Sequence, residues 1–162
     1  MTSLPQPLDD RAFLRRAIEL ARESVKTGGG PFGAVVARDG RLVAEGYNRV
    51  TVWNDPTAHA EVVAIRAACE KLGSFQLDGC TVYSSCEPCP MCLGALYWAR
   101  PARVVFACTR VDAAKAGFDD EFIYLELPLP IDARRLPTSM LLREEGLVAF
   151  DDWAKAAGRR DY

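Results

Sequence analysis

Residues 85–92 read SCEPCPMC, and this segment joins a predicted strand to a predicted helix. The preceding residues, Cys80 to Tyr83, have the β-branched and aromatic content of a short buried strand. The prolines of the segment predict a helix over Pro88 to Trp98. On a helix, Cys89 and Cys92 share one face, and the partial positive charge at a helix N-terminus favours the thiolate that binds metals. The segment therefore predicts a pair of metal-binding cysteines at the start of a helix.

A second predicted helix begins with His59 and Glu61. The residues from Thr57 to Lys71 are rich in Ala, Val and Ile, Gly73 ends the pattern, and Pro56 suits the first helical position. The chain has a single histidine, which excludes metal sites that need two imidazoles, such as H-E-x-x-H protease helices and Cys₂His₂ fingers. If His59 binds a metal, mechanisms with a histidine general base are excluded as well.

Two thiolates and one imidazole form a donor set that favours zinc. Three protein ligands leave the fourth tetrahedral position open to water, as in catalytic zinc sites. Because two thiolates offset the charge of the ion, a nearby base becomes useful, and Glu61 is the candidate.

Two other metal sites are compatible with a short cysteine motif. In a closed structural site, Cys86 would join Cys89, Cys92 and His59 as Cys₃His, although Cys86 precedes Pro88 and need not share their helix face. An iron–sulfur cluster requires a further C-P after three intervening residues, and Leu96 stands at that position, so this interpretation is excluded.

The remaining pattern predicts alternating helices and strands. After a cap at Asp9 or Asp10, apolar residues recur at helical spacing until residues 28–31, GGGP. These apolar residues are Leu14, Ile18, Ala21 and Val25. The Asp39-Gly40 turn predicts a hairpin of strands 33–37 and 42–46. A polar loop follows over residues 48–56, and Val104 to Ala107 is a further strand. This alternation predicts an α/β layered domain around a central sheet.

Beyond Gly117 the pattern is weaker, with a proline-interrupted stretch over residues 118–137 and a short helix over Phe150 to Ala157. A chain of 162 residues with 49% apolar residues is long enough for a single domain with its own core.

Charge and cysteine usage narrow the class of protein. The net charge of −2 does not favour a protein whose main task is to bind nucleic acid, so we expect a small-molecule partner. Residues 1–10 resemble no targeting leader, and no run approaches the ~20 apolar residues of a membrane span. The six cysteines are unevenly spread, which favours a reduced, cytoplasmic chain with a metal site over a disulfide framework.

These motifs resemble the cytidine/deoxycytidylate-type zinc deaminases, whose signature combines H-x-E with P-C-x-x-C. The resemblance is carried by residues 29–36 (GGPFGAVV), 55–61 (DPTAHAE) and 85–92. A fourth block, residues 116–120 (AGFDD) with 122–124 (FIY), and the terminal tyrosine resemble the branch of bacterial guanine deaminases.

The resemblance implies a three-layer α-β-α fold with a central five-stranded mixed sheet. It also implies that the protein binds one zinc ion per chain and hydrolyses guanine to xanthine and ammonia. It implies the following roles: His59, Cys89 and Cys92 as zinc ligands, Glu61 as proton shuttle, Asn48 and Phe32 as purine contacts, Asp120 as a second carboxylate, and Tyr162 as the closure of the pocket. It also implies a single deaminase domain over residues 1–162 that forms a homodimer. The segment from about 118 to 162 would be exchanged between its subunits.

Alternatives remain open from the residues alone. Asn48 is also typical of a turn, Phe32 of a core aromatic, Asp120 of a solvated surface and Tyr162 of a frayed terminus. The substrate could instead be guanosine, cytosine, a triazine such as ammeline, or an adenosine in tRNA. A non-catalytic protein with a structural zinc ion is the alternative from another class.

Overall fold

The computed structural model describes residues 9–162 and divides the chain into two compact units. We call Met1–Asp120 the core unit and Glu121–Tyr162 the C-terminal segment. Residues 1–8, in which the sequence predicts no targeting leader, lie outside the described residues. None of the described helices is both long enough and apolar enough to cross a membrane.

The helices and strands of the core unit alternate along the chain. The helices are α1 (Asp10–Lys26), α2 (Val50–Trp53), α3 (Ala60–Leu72), α4 (Pro90–Ala99) and α5 (Arg110–Lys115). The strands are β1 (Gly33–Arg38), β2 (Arg41–Tyr47), β3 (Cys80–Cys86) and β4 (Arg103–Cys108). All the helices and strands predicted in this part of the chain are present, and α2 interrupts the stretch predicted as a polar loop.

The sheet has the strand order β2-β1-β3-β4. Strand β1 is antiparallel to β2 and β3, and β3 is parallel to β4, so the sheet is mixed as predicted. The hairpin turn is also confirmed, because Asp39 and Gly40 have φ of 52° and 68°, the left-handed values of a type I′ turn. The prediction of five strands is wrong: residues 9–162 form four. The chain after β4 forms helices and is interrupted by Pro128, Pro130 and Pro137, which cannot donate to a strand ladder.

Two hydrophobic clusters, one on each face of the sheet, give the predicted three layers. Helix α1 packs on one face, where Phe13, Ala17 and Leu20 meet Val35 and Tyr83. Helices α3 and α4 pack on the other face. The buried residues of this second cluster are Ala34, Val36, Ala60, Ala64, Ala68, Leu77, Cys80, Val82, Leu96 and Ala99. Successive residues of β3 therefore face opposite layers.

Helix α1 is capped as predicted, since the Asp9 side chain accepts a hydrogen bond from the Ala12 amide at 2.8 Å. The buried face of α1 is shifted by one residue from the face that the sequence predicts. Ile18 and Val25 are 40% and 54% exposed, whereas Ala17 is fully buried. The small Ala17 lets the helix approach β1 so closely that a Cβ on Gly33 would lie 2.2 Å from the Ala17 carbonyl oxygen.

Helices α3 and α4 begin later than predicted. Pro56 lies in a turn, where the Asp55 carboxylate accepts a hydrogen bond from the Thr57 amide at 2.8 Å, so α3 begins at Ala60. Helix α4 begins with Pro90 instead of Pro88. His59 and Cys89 consequently occupy the N-cap positions of their helices.

The C-terminal segment contains α6 (Glu121–Glu126), a short 3₁₀ turn at Ile131–Ala133 and α7 (Arg143–Lys155). The predicted C-terminal helix is therefore present but begins seven residues before Phe150. None of the residues in this segment is buried.

Candidate metal centre

The structure brings His59, Cys89 and Cys92 together at the N-termini of α3 and α4. The His59 Nδ1 atom lies 3.5 Å from the Sγ atom of each cysteine. The three candidate ligand atoms all lie within 4.8 Å of one another, which places them around the volume of a single ion. Two sulfurs and one imidazole nitrogen are the donor types that bind zinc, so the residues fit a zinc ion.

The electrostatic environment of this cluster favours a thiolate. A hydrogen bond with Cys92 and the neighbouring His59 imidazole lower the pKa of Cys89 to about 4. The hydrogen bond with Cys89 and the burial of the thiol raise the pKa of Cys92. The Cys89 contact also raises the pKa of His59. The imidazole and the two sulfur atoms are therefore held where all three could bind one positive ion.

Cys86 lies apart from this cluster. It ends β3, and its thiol donates a hydrogen bond to the Thr109 carbonyl oxygen, with an Sγ to O distance of 3.5 Å. Burial raises the pKa of Cys86 to about 11. Among the described residues, Cys86 is absent from the group that could hold a metal, so the geometry favours three protein ligands over a closed Cys₃His site.

Glu61, the second residue of α3, places its carboxylate beside the metal-ligand cluster. The side chain is buried, and one oxygen, Oε2, accepts a hydrogen bond from the Cys92 thiol at 3.4 Å. The other oxygen, Oε1, accepts a hydrogen bond from the Ser84 hydroxyl at 2.9 Å. Burial raises the pKa of Glu61, which suits a group that must accept and return a proton near neutral pH.

The close packing of β2 against α3 positions the histidine and the glutamate. Gly46 faces the first turn of α3, and a Cβ at this position would lie 2.5 Å from the Ala64 amide nitrogen and 2.7 Å from the Ala60 carbonyl oxygen. Only glycine permits this approach. The β2 end and the residues after it therefore lie against the helix that bears Glu61.

Asn48 directly follows β2, and its orientation is fixed by the backbone around it. Its side-chain Oδ1 atom accepts hydrogen bonds from the Gly30 and Val50 amides, both at 3.2 Å. Its backbone amide donates to the Phe32 carbonyl at 3.0 Å, and its carbonyl accepts from the Ser24 hydroxyl at 2.9 Å. With Oδ1 occupied twice, the side-chain NH₂ group is the part of Asn48 available to a ligand.

Phe32 and Asp120 complete the residues of the core unit that the sequence singled out. Phe32 is half-buried and packs edge-to-face on Phe118, with ring centroids 5.0 Å apart. Partial burial and the nearby charge of Cys89 raise the pKa of Asp120.

Tyr162 is the last residue of the C-terminal segment and is 68% exposed. The structure therefore groups seven of the eight sequence-predicted site residues within the core unit and places Tyr162 in the other unit.

Ser84 is a site residue that the sequence analysis missed. A signal was present in the strand pattern, because Cys80, Val82 and Ser84 lie on the same face of β3 and only Ser84 places a hydroxyl there. A buried hydroxyl on an apolar face requires a hydrogen-bond partner, and that partner is Glu61.

Comparison with known families and structures agrees with this geometry. Residues 7–108 match the cytidine and deoxycytidylate deaminase zinc-binding region. The chain is 54% identical over 156 residues to guanine deaminase of Bacillus subtilis strain 168, which covers 96% of this chain and 100% of that protein.

The X-ray structure of the Bacillus subtilis guanine deaminase superposes with a TM-score of 0.93, covering 96% of this chain and 99% of that chain. A guanine deaminase structure from Nitrosomonas europaea is 33% identical, with a TM-score of 0.68 over 80% of this chain and 72% of that chain. A tRNA-specific adenosine deaminase of Aquifex aeolicus is 36% identical over 116 residues, which span 72% of this chain and 76% of that protein.

Proposed function

Because the chain belongs to the cytidine and deoxycytidylate deaminase family, we propose that it hydrolyses guanine to xanthine and ammonia with one zinc ion. The observation that carries this function is the cluster of His59, Cys89 and Cys92 with the buried Glu61 carboxylate beside it. The choice of guanine rests on the match to guanine deaminase, which extends over 96% of the chain. Water and guanine balance against xanthine and ammonia, so no further reactant is needed.

His59, Cys89 and Cys92 are the residues that would hold the zinc ion. When bound, zinc would act as a Lewis acid and lower the pKa of a water molecule, which makes a nucleophile available near neutral pH. The two thiolates reduce the net positive charge of the site, which increases the need for a protein base.

Glu61 is that base in the proposed mechanism. Its carboxylate accepts a proton from water as the C–O bond forms at C2 of guanine. It gives this proton to the adjacent ring nitrogen. It then takes the proton of the new C2 hydroxyl and delivers it to the amino group, so that the C–N bond breaks, ammonia leaves and the hydroxyl becomes the carbonyl of xanthine. A carboxyl group whose pKa is raised by burial can both accept and return these protons.

Asn48 orients the purine in this mechanism. Its Oδ1 atom is held by two backbone amides, so its NH₂ group donates a hydrogen bond to an acceptor on the base. Phe32 supplies an aromatic surface beside Asn48 on which the ring packs, and Asp120 accepts a hydrogen bond from the amino group that leaves.

The active form is a homodimer with exchanged C-terminal segments, such that Tyr162 of each chain closes the site of the other. The support is the apolar surface of this segment, in which no residue is buried. Leu136, Met140 and Leu141 are 75%, 75% and 84% exposed, and Phe150 is 73% exposed. Several large apolar side chains exposed in one segment are typical of an interaction site.

The whole chain then forms one functional deaminase domain per subunit. We place it in the cytoplasm, because all six cysteines are outside disulfides and a reducing compartment keeps zinc-binding thiols reduced.

Ammonia release from a substrate panel tests the proposed function. The purified, zinc-loaded protein is incubated with guanine, guanosine, cytosine, adenine, ammeline and an RNA stem-loop that contains an adenosine. We expect equal amounts of ammonia and xanthine from guanine, and at most slow release from the others. Deamination of the RNA adenosine without guanine turnover would assign the chain to the tRNA branch. No release from any substrate would contradict deamination.

A further inference from the structure

A single hydroxyl interrupts the apolar face of β3 that packs against α3 and α4. Ser84 is 1% exposed, and the preceding residues on the same face, Val82 and Cys80, are part of the hydrophobic cluster. Burying a hydroxyl without a hydrogen bond is costly, so a serine at this position requires a partner. The Ser84 Oγ atom donates to Glu61 Oε1 at 2.9 Å.

We propose that Ser84 is the positioning residue of the Glu61 proton shuttle, because its hydroxyl fixes the rotation of the carboxylate. The hydrogen bond crosses from the sheet to helix α3 and holds Oε1 on the sheet side. The second oxygen, Oε2, then points to the metal-ligand cluster, where it lies 3.4 Å from the Cys92 sulfur. This inference rests on the proposed function of Glu61.

The need for a fixed donor follows from the torsion that ends the side chain. The terminal torsion of glutamate has a broad energy minimum, so packing alone does not set the direction of its two oxygens. A proton shuttle must keep one oxygen within hydrogen-bond reach of the reacting atoms through several transfers. Ser84 supplies this restraint without touching the substrate.

The alternative is that the Ser84 hydroxyl contributes only to stability, and the next residue provides a matched control for it. Ser85 is also buried in β3 but faces α1, where its hydroxyl accepts a hydrogen bond from the Gly33 amide at 3.0 Å. Changing either serine to alanine removes one buried, hydrogen-bonded oxygen from the same strand. Only the change at Ser84 affects Glu61.

The experiment compares full-length Ser84→Ala, Ser84→Thr and Ser85→Ala with the parent protein. For each protein, kcat and KM for guanine, zinc content, melting temperature and the affinity for the product xanthine are measured. A hydrogen bond to a carboxylate is worth roughly a 10- to 100-fold effect on rate when it acts in the transition state.

We expect Ser84→Ala to lower kcat by about this factor, with KM, zinc content and xanthine affinity unchanged. Ser84→Thr retains the hydroxyl and should recover most of the lost kcat. Ser85→Ala should lower the melting temperature to a similar extent but leave kcat close to that of the parent.

Several results would overturn the role of Ser84. These are an unchanged kcat in Ser84→Ala, a fall in kcat that follows lost zinc, an equal fall in Ser85→Ala, or a folded Ser84→Thr no more active than Ser84→Ala. If Ser84→Thr does not fold, the alanine pair alone decides. Failure of the proposed function is distinguished by the parent protein: if it deaminates another base of the panel, the same comparison is made on that base. A parent that deaminates none of them refutes the function and the role of Ser84 together.

Discussion

The core unit and the C-terminal segment contain similar kinds of helix but differ in what they bury. In the core unit, α3 and α4 each bury one face against the sheet, and this packing places a histidine, two cysteines and a glutamate within contact distance. In the C-terminal segment, α6 and α7 have no buried residue. The metal-ligand cluster is thus organised by packing within the core unit, whereas the last 42 residues contain no buried residue.

This difference separates two kinds of substitution. Changes at the metal-ligand cluster should affect chemistry without altering assembly. Changes at the apolar surface of the C-terminal segment should affect assembly first and chemistry only as a result.

The largest effect is expected from Glu61→Ala in the core unit. Loss of the proton shuttle should reduce kcat for guanine by about 10²- to 10⁴-fold, the usual contribution of general acid–base catalysis. Ammonia release measures the rate, and zinc analysis with size-exclusion chromatography checks that metal content and oligomeric state are retained. Turnover close to that of the parent protein would remove Glu61 from the mechanism.

The converse test is Phe150→Lys in α7. Phe150 is 73% exposed in the single chain, so a buried position in a dimer would make the new charge strongly unfavourable. We expect a shift from dimer to monomer in light scattering, and a loss of activity that is partly recovered at high protein concentration.

Asp152→Lys is the matched control, because it introduces the same side chain at an exposed polar position of the same helix. It should leave assembly and activity unchanged. A Phe150→Lys protein that assembles and reacts like this control would show that α7 is not covered by a second chain.

The residues that were predictable from the sequence are those whose role follows from local spacing. The cysteine pair, the H-x-E motif and the Asp39-Gly40 turn each act over a few residues, and the structure has them as expected. The later start of α3 was missed although its signal is also local, because the Asp55 side chain accepts the hydrogen bond of the Thr57 amide and holds these residues in a turn.

Hydrogen bonds between residues far apart in the chain were not predictable for a different reason. The Ser84 to Glu61 hydrogen bond joins residues 23 positions apart, and its existence depends on the register of β3 against α3. The fifth strand was implied by the family resemblance and not read from any stretch of residues, and the described residues after β4 form helices interrupted by prolines.

A smaller effect is expected at the substrate contact, with Asn48→Asp. The carboxylate retains the two acceptor positions for the Gly30 and Val50 amides but loses the NH₂ donor. We expect KM for guanine to rise roughly 10-fold or more, with a modest change in kcat, because one hydrogen bond to the base is replaced by repulsion. Steady-state kinetics measures the split, and an unchanged KM would exclude Asn48 as a donor to the purine.

The smallest effect is expected at the surface of the core unit, with Asp10→Asn. The Asp10 carboxylate accepts two hydrogen bonds. Its Oδ2 atom lies 2.8 Å from an Arg103 guanidinium nitrogen, and its Oδ1 atom lies 2.7 Å from the Tyr83 hydroxyl oxygen. The hydrogen bond from Arg103 has the larger effect and the one from Tyr83 the smaller, and both lower the pKa of Asp10. A lowered folded-state pKa contributes stability above the unfolded-state value of about 3.9, and this stability is lost as the pH falls through the folded-state value.

The variant should therefore melt slightly below the parent at neutral pH, and the difference should shrink in acid. The exposed Asp78, which lies outside this ion pair, provides the control Asp78→Asn. A melting difference that grows below about pH 4 would contradict the sign of this linkage.

The number of sulfur atoms around the metal distinguishes an open catalytic zinc site from a closed structural one. Zinc-edge X-ray absorption on the zinc-loaded protein, with Cys86→Ser measured beside it, counts the sulfur neighbours of the ion. We expect two sulfur neighbours, from Cys89 and Cys92, and two lighter neighbours in both proteins, a His59 nitrogen and a water oxygen in the fourth position. Three sulfurs in the parent and two in Cys86→Ser would show a closed structural site and contradict it.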